Sequence, residues 1–235
     1  MSCYGFLSAD EILACYTRDG HWQLARIDTR SGVKTDPEHD FRDISSIRCQ
    51  NGKALLLAAS ATDFPSLFCY QQTNKPLQLI ARSAEHPLSH DSISLAQAMS
   101  FANTHGFYYP PTHATLEGVA ASAPPLIVLG HGGPTGATET GLNFKIQYWT
   151  SRGFAVMDVN YRGSTGYGRE YRRQLQKSWG IKDVDDVCAA AQHLIEQGLA
   201  DTDRVAIKGS SAGGYTVLAA LTFRDTFKAG TSLYG

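Results

Sequence analysis

The sequence has no long apolar run and no excess of charge of either sign. Its longest apolar stretches, residues 123–129 and 154–159, fall far short of the roughly 20 residues that a membrane-spanning helix needs. The amino terminus lacks the basic segment followed by an apolar one that marks a secretion signal. Lysine and arginine together number 21 and aspartate and glutamate 22, with the two signs interspersed. We therefore expect no membrane anchor and no nucleic-acid partner.

Patterns of cysteine and histidine that hold disulfides or metal ions are also missing. The cysteines are odd in number, scattered and set in apolar surroundings, with no C-x-x-C pair. We interpret them as reduced core residues and expect a cytoplasmic protein. His86 and His90 are close in sequence, but no third ligand accompanies them, which favours a polar linker over a metal site. We expect neither a metal nor a cofactor. The cysteines are Cys3, Cys15, Cys49, Cys69 and Cys188.

The first 83 residues or so contain short β runs separated by turn signals. Two pairs of runs flank Asp19-Gly20 and Asn51-Gly52, which are strong signals for two-residue hairpins. A third pair flanks a loop at residues 73–76. Such regular antiparallel spacing suits sandwich sheets or propeller blades, and the pattern alone does not choose between them. The predicted strands are 12–17, 21–27, 44–49, 54–59, 66–71 and 77–81.

A polar segment at residues 83–94 separates the hairpins from a different pattern. From residue 100 onward, apolar strands alternate with helices, which predicts a parallel sheet covered by helices on both faces. We place the domain boundary in the polar segment, which gives domains 1–88 and 89–235. After a strand pair at 101–109, the predicted strands are 125–129, 154–159, 205–207 and 229–233, and the predicted helices are 142–152, 184–197 and 212–223.

A glycine-flanked serine lies where the strand at 205–207 gives way to a helix. Gly209-Ser210-Ser211-Ala212-Gly213 fits the G-x-S-x-G pattern, in which residues without Cβ let the backbone bend sharply and expose the serine hydroxyl. Ser211, not Ser210, is therefore the candidate nucleophile. The alternative is a plain strand-to-helix turn, but the strand-turn-helix context favours the catalytic interpretation.

A glycine-rich loop, Gly130-His131-Gly132-Gly133-Pro134, follows the strand at 125–129. Acyl transfer places negative charge on a carbonyl oxygen, which two backbone N–H groups can stabilise. In hydrolases of this architecture one donor is the amide after the nucleophile, here Ala212, and the other comes from such a loop. The alternative is a simple turn. For His131 itself we favour a structural role, because the catalytic histidine of these folds follows the serine in the chain.

Four motifs in order resemble the prolyl oligopeptidase family of serine peptidases, and within it the acylaminoacyl-peptidase and dipeptidyl-peptidase-like branch. The resemblance implies an α/β-hydrolase fold preceded by the last hairpins of a β-propeller, and a peptide substrate. It also implies Ser211 as nucleophile and the amides of Gly133 and Ala212 as oxyanion donors. The family often has an aromatic residue where this chain has Ala212. The motifs are HGGP at 131–134, DVNYRGSTGYG at 158–168, WG at 179–180 with DVDD at 183–186, and GSSAGG at 209–214.

Two further groups of polar residues have structural and functional interpretations. Arg162 has the planar fork that suits a substrate carboxylate, but we favour a structural turn in which polar groups hold neighbouring loops together. Asp183, Asp185 and Asp186 start a predicted helix, where carboxylates cap free N–H groups, and we favour this over a metal site.

The partners that a serine nucleophile needs do not follow it here. Only 24 residues come after Ser211, and they contain Asp225, too early for the catalytic acid, and no histidine. We expect a piece of a longer peptidase that lacks the triad acid and base and the early propeller blades, and is close to inactive as given. An esterase or lipase of the same fold and a non-catalytic peptide-binding scaffold are the alternatives.

Overall fold

The computed structural model describes residues 3–71, 77–115 and 122–235, which fall into two compact units. Unit 1 comprises Met1–Pro87 and Glu139–Asn143, and unit 2 comprises Leu88–Thr138 and Phe144–Gly235. The short segment Glu139–Asn143 thus groups with the first unit although unit 2 flanks it on both sides in sequence. Each unit has its own hydrophobic core.

The described part of unit 1 forms two antiparallel sheets of four strands, in the orders β1-β2-β3-β4 and β5-β6-β7-β8. The predicted hairpin turns are confirmed, and Asp19, Gly20, Asn51 and Gly52 all have positive φ, as a type I′ turn requires. The predicted loop at 73–76 lies outside the described residues. The strands are β1 Tyr4–Phe6, β2 Glu11–Arg18, β3 His21–Asp28, β4 Lys34–Thr35, β5 Asp43–Gln50, β6 Lys53–Ala59, β7 Ser66–Gln71 and β8 Gln78–Arg82.

The core of unit 1 follows from the two-residue period of its strands. Along β6 the buried residues Ala54, Leu56 and Ala58 alternate with the exposed Leu55 and Leu57. The buried face of β6 belongs to a cluster that also takes residues from the first sheet. The fully buried members of that cluster include Leu13, Leu24, Ile44, Ile47 and Leu56.

Unit 2 is built on a sheet whose six described strands run in the order β14-β13-β11-β12-β10-β9. β11, β12, β13 and β14 are parallel, whereas β9 and β10 form an antiparallel hairpin that joins the sheet through β12. The predicted parallel sheet is therefore mixed at one edge, because a two-residue turn reverses the chain after Phe101. The strands are β9 Gln97–Phe101, β10 Thr104–Tyr109, β11 Leu126–Gly130, β12 Ala155–Asn160, β13 Val205–Ser210 and β14 Ala229–Leu233.

Helices cover both faces of this sheet, as the uninterrupted apolar strands predict. One cluster packs side chains of α3 and α4, such as Leu194 and Val217, against alternate residues of the strands. A second cluster places Ile146 of α1 against Ile127 and Val156 on the opposite face. The helices are α1 Phe144–Thr150, α2 Gly168–Arg173, α3 Lys182–Glu196 and α4 Ala212–Phe223.

The first helix begins two residues later than predicted. Leu142, the expected start, donates its backbone N–H to the carbonyl of Ser60 at 3.0 Å and so belongs to a loop of unit 1. This contact pairs residues far apart in sequence, which hydrophobic periodicity does not register. The helix then runs from Phe144 to Thr150.

Candidate active site

Ser211 occupies a sharp bend between β13 and α4. Its backbone has φ 55° and ψ −125°, a combination that costs a residue with a side chain about 1–3 kcal/mol, and the residue is exposed. Its N–H donates to the carbonyl of Leu233 at 3.0 Å, and its carbonyl accepts from the N–H of Tyr215 at 3.1 Å. Strand, bend and helix follow one another as the sequence predicts.

The bend is possible because the backbones of three glycines, Gly130, Gly209 and Gly213, pack closely together next to it. Gly130 and Gly209 are opposite one another in the parallel pair of β11 and β13. A Cβ at Gly209 would overlap the carbonyl of Gly213 and lie 3.0 Å from the carbonyl oxygen of Gly130. A Cβ at Gly213 would overlap that same oxygen and lie 2.9 Å from the carbonyl oxygen of His131. The first turn of α4 therefore packs directly on the backbone of β11, which a larger residue at Gly213 would prevent.

The structure brings the glycine-rich loop beside the bend. A Cβ built at Gly132 would lie 3.5 Å from the Cβ of Ser211 and 3.3 Å from the carbonyl oxygen of Ser210. Gly133 has φ 133°, a conformation that L side chains rarely adopt. Ala212 is the first residue of α4, so its N–H belongs to the helix turn that has no intrahelical acceptor and lies at the positive end of the helix dipole. The roles of Ser211, Gly133 and Ala212 in catalysis stay predictions.

His131 is packed into the structure behind this loop. Its Nδ1 lies 2.8 Å from the carbonyl oxygen of Gly132 and its Nε2 lies 2.7 Å from Oγ of Ser164. Its ring stacks on Tyr161 with centroids 4.2 Å apart, and the Tyr161 hydroxyl donates to the His131 carbonyl at 3.0 Å. Burial lowers the pKa of His131 to about 4, against the opposing effect of the bond to Gly132.

Arg162 is engaged in an ion pair with Asp186. Its Nη2 lies 2.6 Å from Oδ1 of Asp186, its Nε contacts both carboxylate oxygens at 2.9 and 3.0 Å, and its backbone N–H donates to Oδ2 at 2.7 Å. The Asp186 side chain is only 2% exposed. This geometry agrees with the structural interpretation of Arg162, since the fork that would hold a substrate carboxylate holds this one.

The aspartates at the start of α3 bind mainly to residues outside the helix and do not all cap its backbone N–H groups. Asp183 accepts from the N–H of Gly180 and from the hydroxyl of Thr216 in α4, both at 2.6 Å. Asp185 pairs with Arg224 at 2.7 Å, and Asp186 with Arg162 as described. Asp183 and Asp185 lie in the first turn of α3, where their charge suits the helix dipole as predicted. The expected capping bonds are replaced at Asp185 and Asp186 by ion pairs with distant arginines.

Sequence reasoning missed Asp158, a carboxyl group buried within β12. It accepts from the hydroxyl of Thr138, while the neighbouring side chain of Asn160 accepts from the Thr138 N–H at 2.8 Å. Burial raises the pKa of Asp158 to about 7, and the bond from Thr138 opposes the shift. The signal was a lone carboxylate in the apolar run at 154–159. Its effect is to fix the chain that follows the glycine-rich loop.

Neither a metal centre nor a membrane span emerges from the described ranges. Within residues 3–71, 77–115 and 122–235, no three His, Cys, Asp or Glu side chains are grouped to hold a metal ion. Over the same ranges, no helix is long and apolar enough to cross a bilayer. His86 contacts the carbonyl of Thr62 at 2.7 Å through Nε2, and its ring meets Phe64 edge to face.

Comparison with known proteins finds a matching family model and several similar proteins. The model of the prolyl oligopeptidase family matches residues 140–235. Dipeptidyl aminopeptidase BIII of Pseudoxanthomonas mexicana is 40% identical over 123 residues, which is 52% of this chain and 18% of that protein. The acylamino-acid-releasing enzyme of Arabidopsis thaliana is 38% identical over 91 residues, 39% of this chain and 12% of that protein. A crystal structure of puromycin hydrolase superposes with a TM-score of 0.94 at 32% identity, covering 100% of this chain and 36% of that one.

The chain thus spans about a third of the solved relative and less than a fifth of the curated relatives that it matches. The superposition on puromycin hydrolase covers the mixed sheet with its helices and the preceding antiparallel sheets of this chain. The fold is the first part of an α/β-hydrolase, preceded by β-propeller hairpins. The similarity of this chain to known proteins therefore lies with the prolyl oligopeptidase family, whose model matches residues 140–235.

Proposed function

We propose that the protein is a serine peptidase that cleaves short peptides through an acyl-enzyme on Ser211. The observation that carries the proposal is the exposed Ser211 at a strained bend, with the backbone of Gly132 packed against it. Strain of this kind persists only where the surrounding fold enforces it, and it is concentrated at functional sites. The dipeptidyl aminopeptidase and acylamino-acid-releasing relatives support peptides or acylated peptides as substrates.

In the proposed reaction the Ser211 oxygen bonds to the carbonyl carbon of the scissile amide. The N–H groups of Gly133 and Ala212 donate to the oxygen that becomes negative, and loss of one such donor typically slows acyl transfer about 10²–10³-fold. The amine leaves with a proton, and water then releases the acyl group. The proton is relayed by a histidine, a residue that positions 212–235 do not contain.

The same reasoning gives a proposal for the organisation of the whole protein. We assign residues 1–88 to the carboxyl-terminal end of a β-propeller and residues 89–235 to the first part of the peptidase domain. The share of the puromycin hydrolase chain that is covered, 36%, supports this assignment. The five cysteines are free in the structure and form no C-x-x-C pair, which supports a cytoplasmic location.

A fluorophosphonate probe tests the assignment of the nucleophile. The protein extended by the residues that follow Gly235 in its reading frame should be labelled, and Ser211→Ala should abolish the labelling. Ser210→Ala is the matched control, because it removes the neighbouring hydroxyl while the bend stays intact, and it should remain labelled. Labelling that survives Ser211→Ala would contradict the proposal.

Hydrolysis of puromycin is a second candidate activity. Puromycin hydrolase is similar over the full length of this chain, at 32% identity, which favours the amide of an aminoacyl nucleoside as a substrate. Turnover of puromycin, an aminoacyl anilide, an acylated peptide and a simple acyl ester should be compared with the extended protein. Preference for the amides supports a peptidase, whereas turnover of the ester alone would support the esterase alternative.

A further inference from the structure

Cys3 and Cys15 lie opposite one another at the edge of the first sheet. β1 pairs antiparallel with β2 in a register that places Tyr4 opposite Ala14, so the next position places Cys3 opposite Cys15. The backbone N–H of Cys15 donates to the carbonyl of Cys3 at 2.7 Å. Hydrogen-bonded residues opposite one another have Cα atoms about 5.5 Å apart and side chains on the same face. That separation lies within the roughly 4.4–6.8 Å that disulfides span.

The two thiols touch but differ in exposure. Cys3 is exposed and Cys15 is buried, and their side chains share a hydrogen bond. Burial, with a smaller contribution from Cys3, raises the pKa of Cys15 to about 12. The accessible Cys3 is therefore the thiol that meets a dissolved oxidant, while Cys15 stays protonated beside it.

A third thiol, that of Cys49, lies near the pair of strands β1 and β2. A Cβ built at Gly5 would lie 2.6 Å from Sγ of Cys49, so Cys49 of β5 packs against the backbone two residues from Cys3. Cys49 is half-buried, and burial raises its pKa. It is the natural competitor for Cys3, but the strand register gives Cys15 the opposite position.

We propose that Cys3 and Cys15 are a reversible disulfide pair that ties the edge strand β1 to β2. With oxidised glutathione as oxidant, the Cys3 thiolate attacks one glutathione sulfur and releases one reduced glutathione. The Cys15 sulfur then attacks Cys3 and releases the second. Two protein thiols lose two electrons and two protons, and one glutathione disulfide becomes two thiols.

The effect of the bond follows from the position of β1. Within the described residues, β1 has three residues and hydrogen-bonds to β2, and Gly5 of β1 also packs against Cys49 of β5. Short edge strands open readily, because few contacts hold them. A covalent link at the first pair prevents that opening. We expect hydrogen exchange of the β1 amides to slow at least tenfold on oxidation, within the roughly hundredfold effect that closure of a loop of this length gives.

Alkylation and mass spectrometry of the full chain test the pairing. Trypsin releases residues 1–18 as one peptide, which contains both Cys3 and Cys15, whereas Cys49 falls in the peptide 49–53. After incubation in a glutathione redox buffer and alkylation, peptide 1–18 should carry no alkyl groups and be two hydrogens lighter. The Cys49→Ala control should give the same peptide, and Cys15→Ser should instead retain glutathione on Cys3.

The same reaction in concentrated urea separates the folded geometry from mere closeness in sequence. The ratio of disulfide to dithiol at fixed glutathione should be at least about tenfold higher in the folded chain. An equal or lower ratio, two alkyl groups on peptide 1–18, or a cross-link between that peptide and 49–53 would each overturn the proposal. Unchanged hydrogen exchange of β1 in the oxidised protein would overturn its tying role.

Discussion

The contact between Gly130 and Gly213 predicts that alanine will be disruptive at Gly213 and tolerated at Gly130. A Cβ at Gly213 would overlap the carbonyl oxygen of Gly130 and lie 2.8 Å from its carbonyl carbon, all backbone atoms that cannot rotate away. A Cβ at Gly130 would meet only the Cα and carbonyl oxygen of Gly213, at 3.8 and 3.9 Å, which is ordinary contact. Gly213→Ala should therefore disturb the bend, and Gly130→Ala should not.

The expected magnitude follows from two opposing effects. Forcing a methyl group into a packed contact costs about 1–3 kcal/mol, and relief of this overlap requires the helix or the loop to shift by about 1 Å. Alanine in place of glycine within a helix contributes about 1 kcal/mol in the other direction. Because the overlapped atoms belong to the backbone, the upper part of the steric range, about 2–3 kcal/mol, applies, and we expect Gly213→Ala to lower the free energy of unfolding by about 1–2 kcal/mol. A shift near 1 Å at Ser211 should also slow fluorophosphonate labelling of the extended protein about 100-fold.

Chemical denaturation of both variants, followed by circular dichroism, measures the first effect. Gly130→Ala should unfold within about 0.5 kcal/mol of the parent, as a substitution without a steric conflict does. Equal losses in the two variants, or a Gly213→Ala chain as stable as the parent, would refute the reasoning about the packed backbone.

Three buried polar groups give further predictions, each measured as the free energy of unfolding. His131 has a pKa of about 4 in the folded chain, below its ordinary pKa of 6.5. Its contribution to stability is therefore complete above pH 6.5 and is lost as pH falls toward 4, by about 3 kcal/mol. His131→Asn should remove this pH dependence. Asp158 has a pKa of about 7 in the folded chain, above its ordinary pKa of 3.8. Its contribution to stability is therefore complete below pH 3.8 and is lost as pH rises through 7, by about 4 kcal/mol. Asp158→Asn should remove this pH dependence. Arg162→Met should cost about 3–5 kcal/mol, because it leaves the buried carboxylate of Asp186 unpaired, and adding Asp186→Leu should recover much of the loss.

Each of these variants has an outcome that would contradict its reasoning. For His131→Asn and Asp158→Asn it is a pH profile parallel to that of the parent, since only the titrating group should change the slope. For Arg162→Met it is a double variant that is less stable than the single one, because the leucine removes the charge that the arginine had balanced.

Local signals in the sequence were sufficient to predict most strands and helices and the bend at Ser211. Asp19-Gly20 and Asn51-Gly52 predict the hairpins because those residues tolerate positive φ. The alternation of strands and helices gives the sheet of unit 2, and Gly209 and Gly213 indicate the bend at Ser211. Each of these signals lies within a few residues of the feature that it predicts.

Contacts between distant residues were not accessible in the same way. The partner of Asp186 is Arg162 in a loop, and the partner of Asp183 is Thr216 in another helix. Both pairings depend on how α3 packs on its neighbours, which a single sequence does not encode as a local pattern. The same holds for Cys3, expected in the core but exposed, because its burial is decided by the sheet edge and not by its apolar neighbours.

The strained bend at Ser211 is enforced from three sides before any substrate binds. β14 accepts the Ser211 N–H through Leu233, α4 donates to the Ser211 carbonyl through Tyr215, and the carbonyl of Gly130 excludes any larger residue from Gly213. A cost of about 1–3 kcal/mol at one residue is small beside the packing of these three elements. Relaxing the bend would break contacts in all of them at once. The backbone of Ser211 is therefore held in position by the fold itself, which is what the proposed attack on a carbonyl would require.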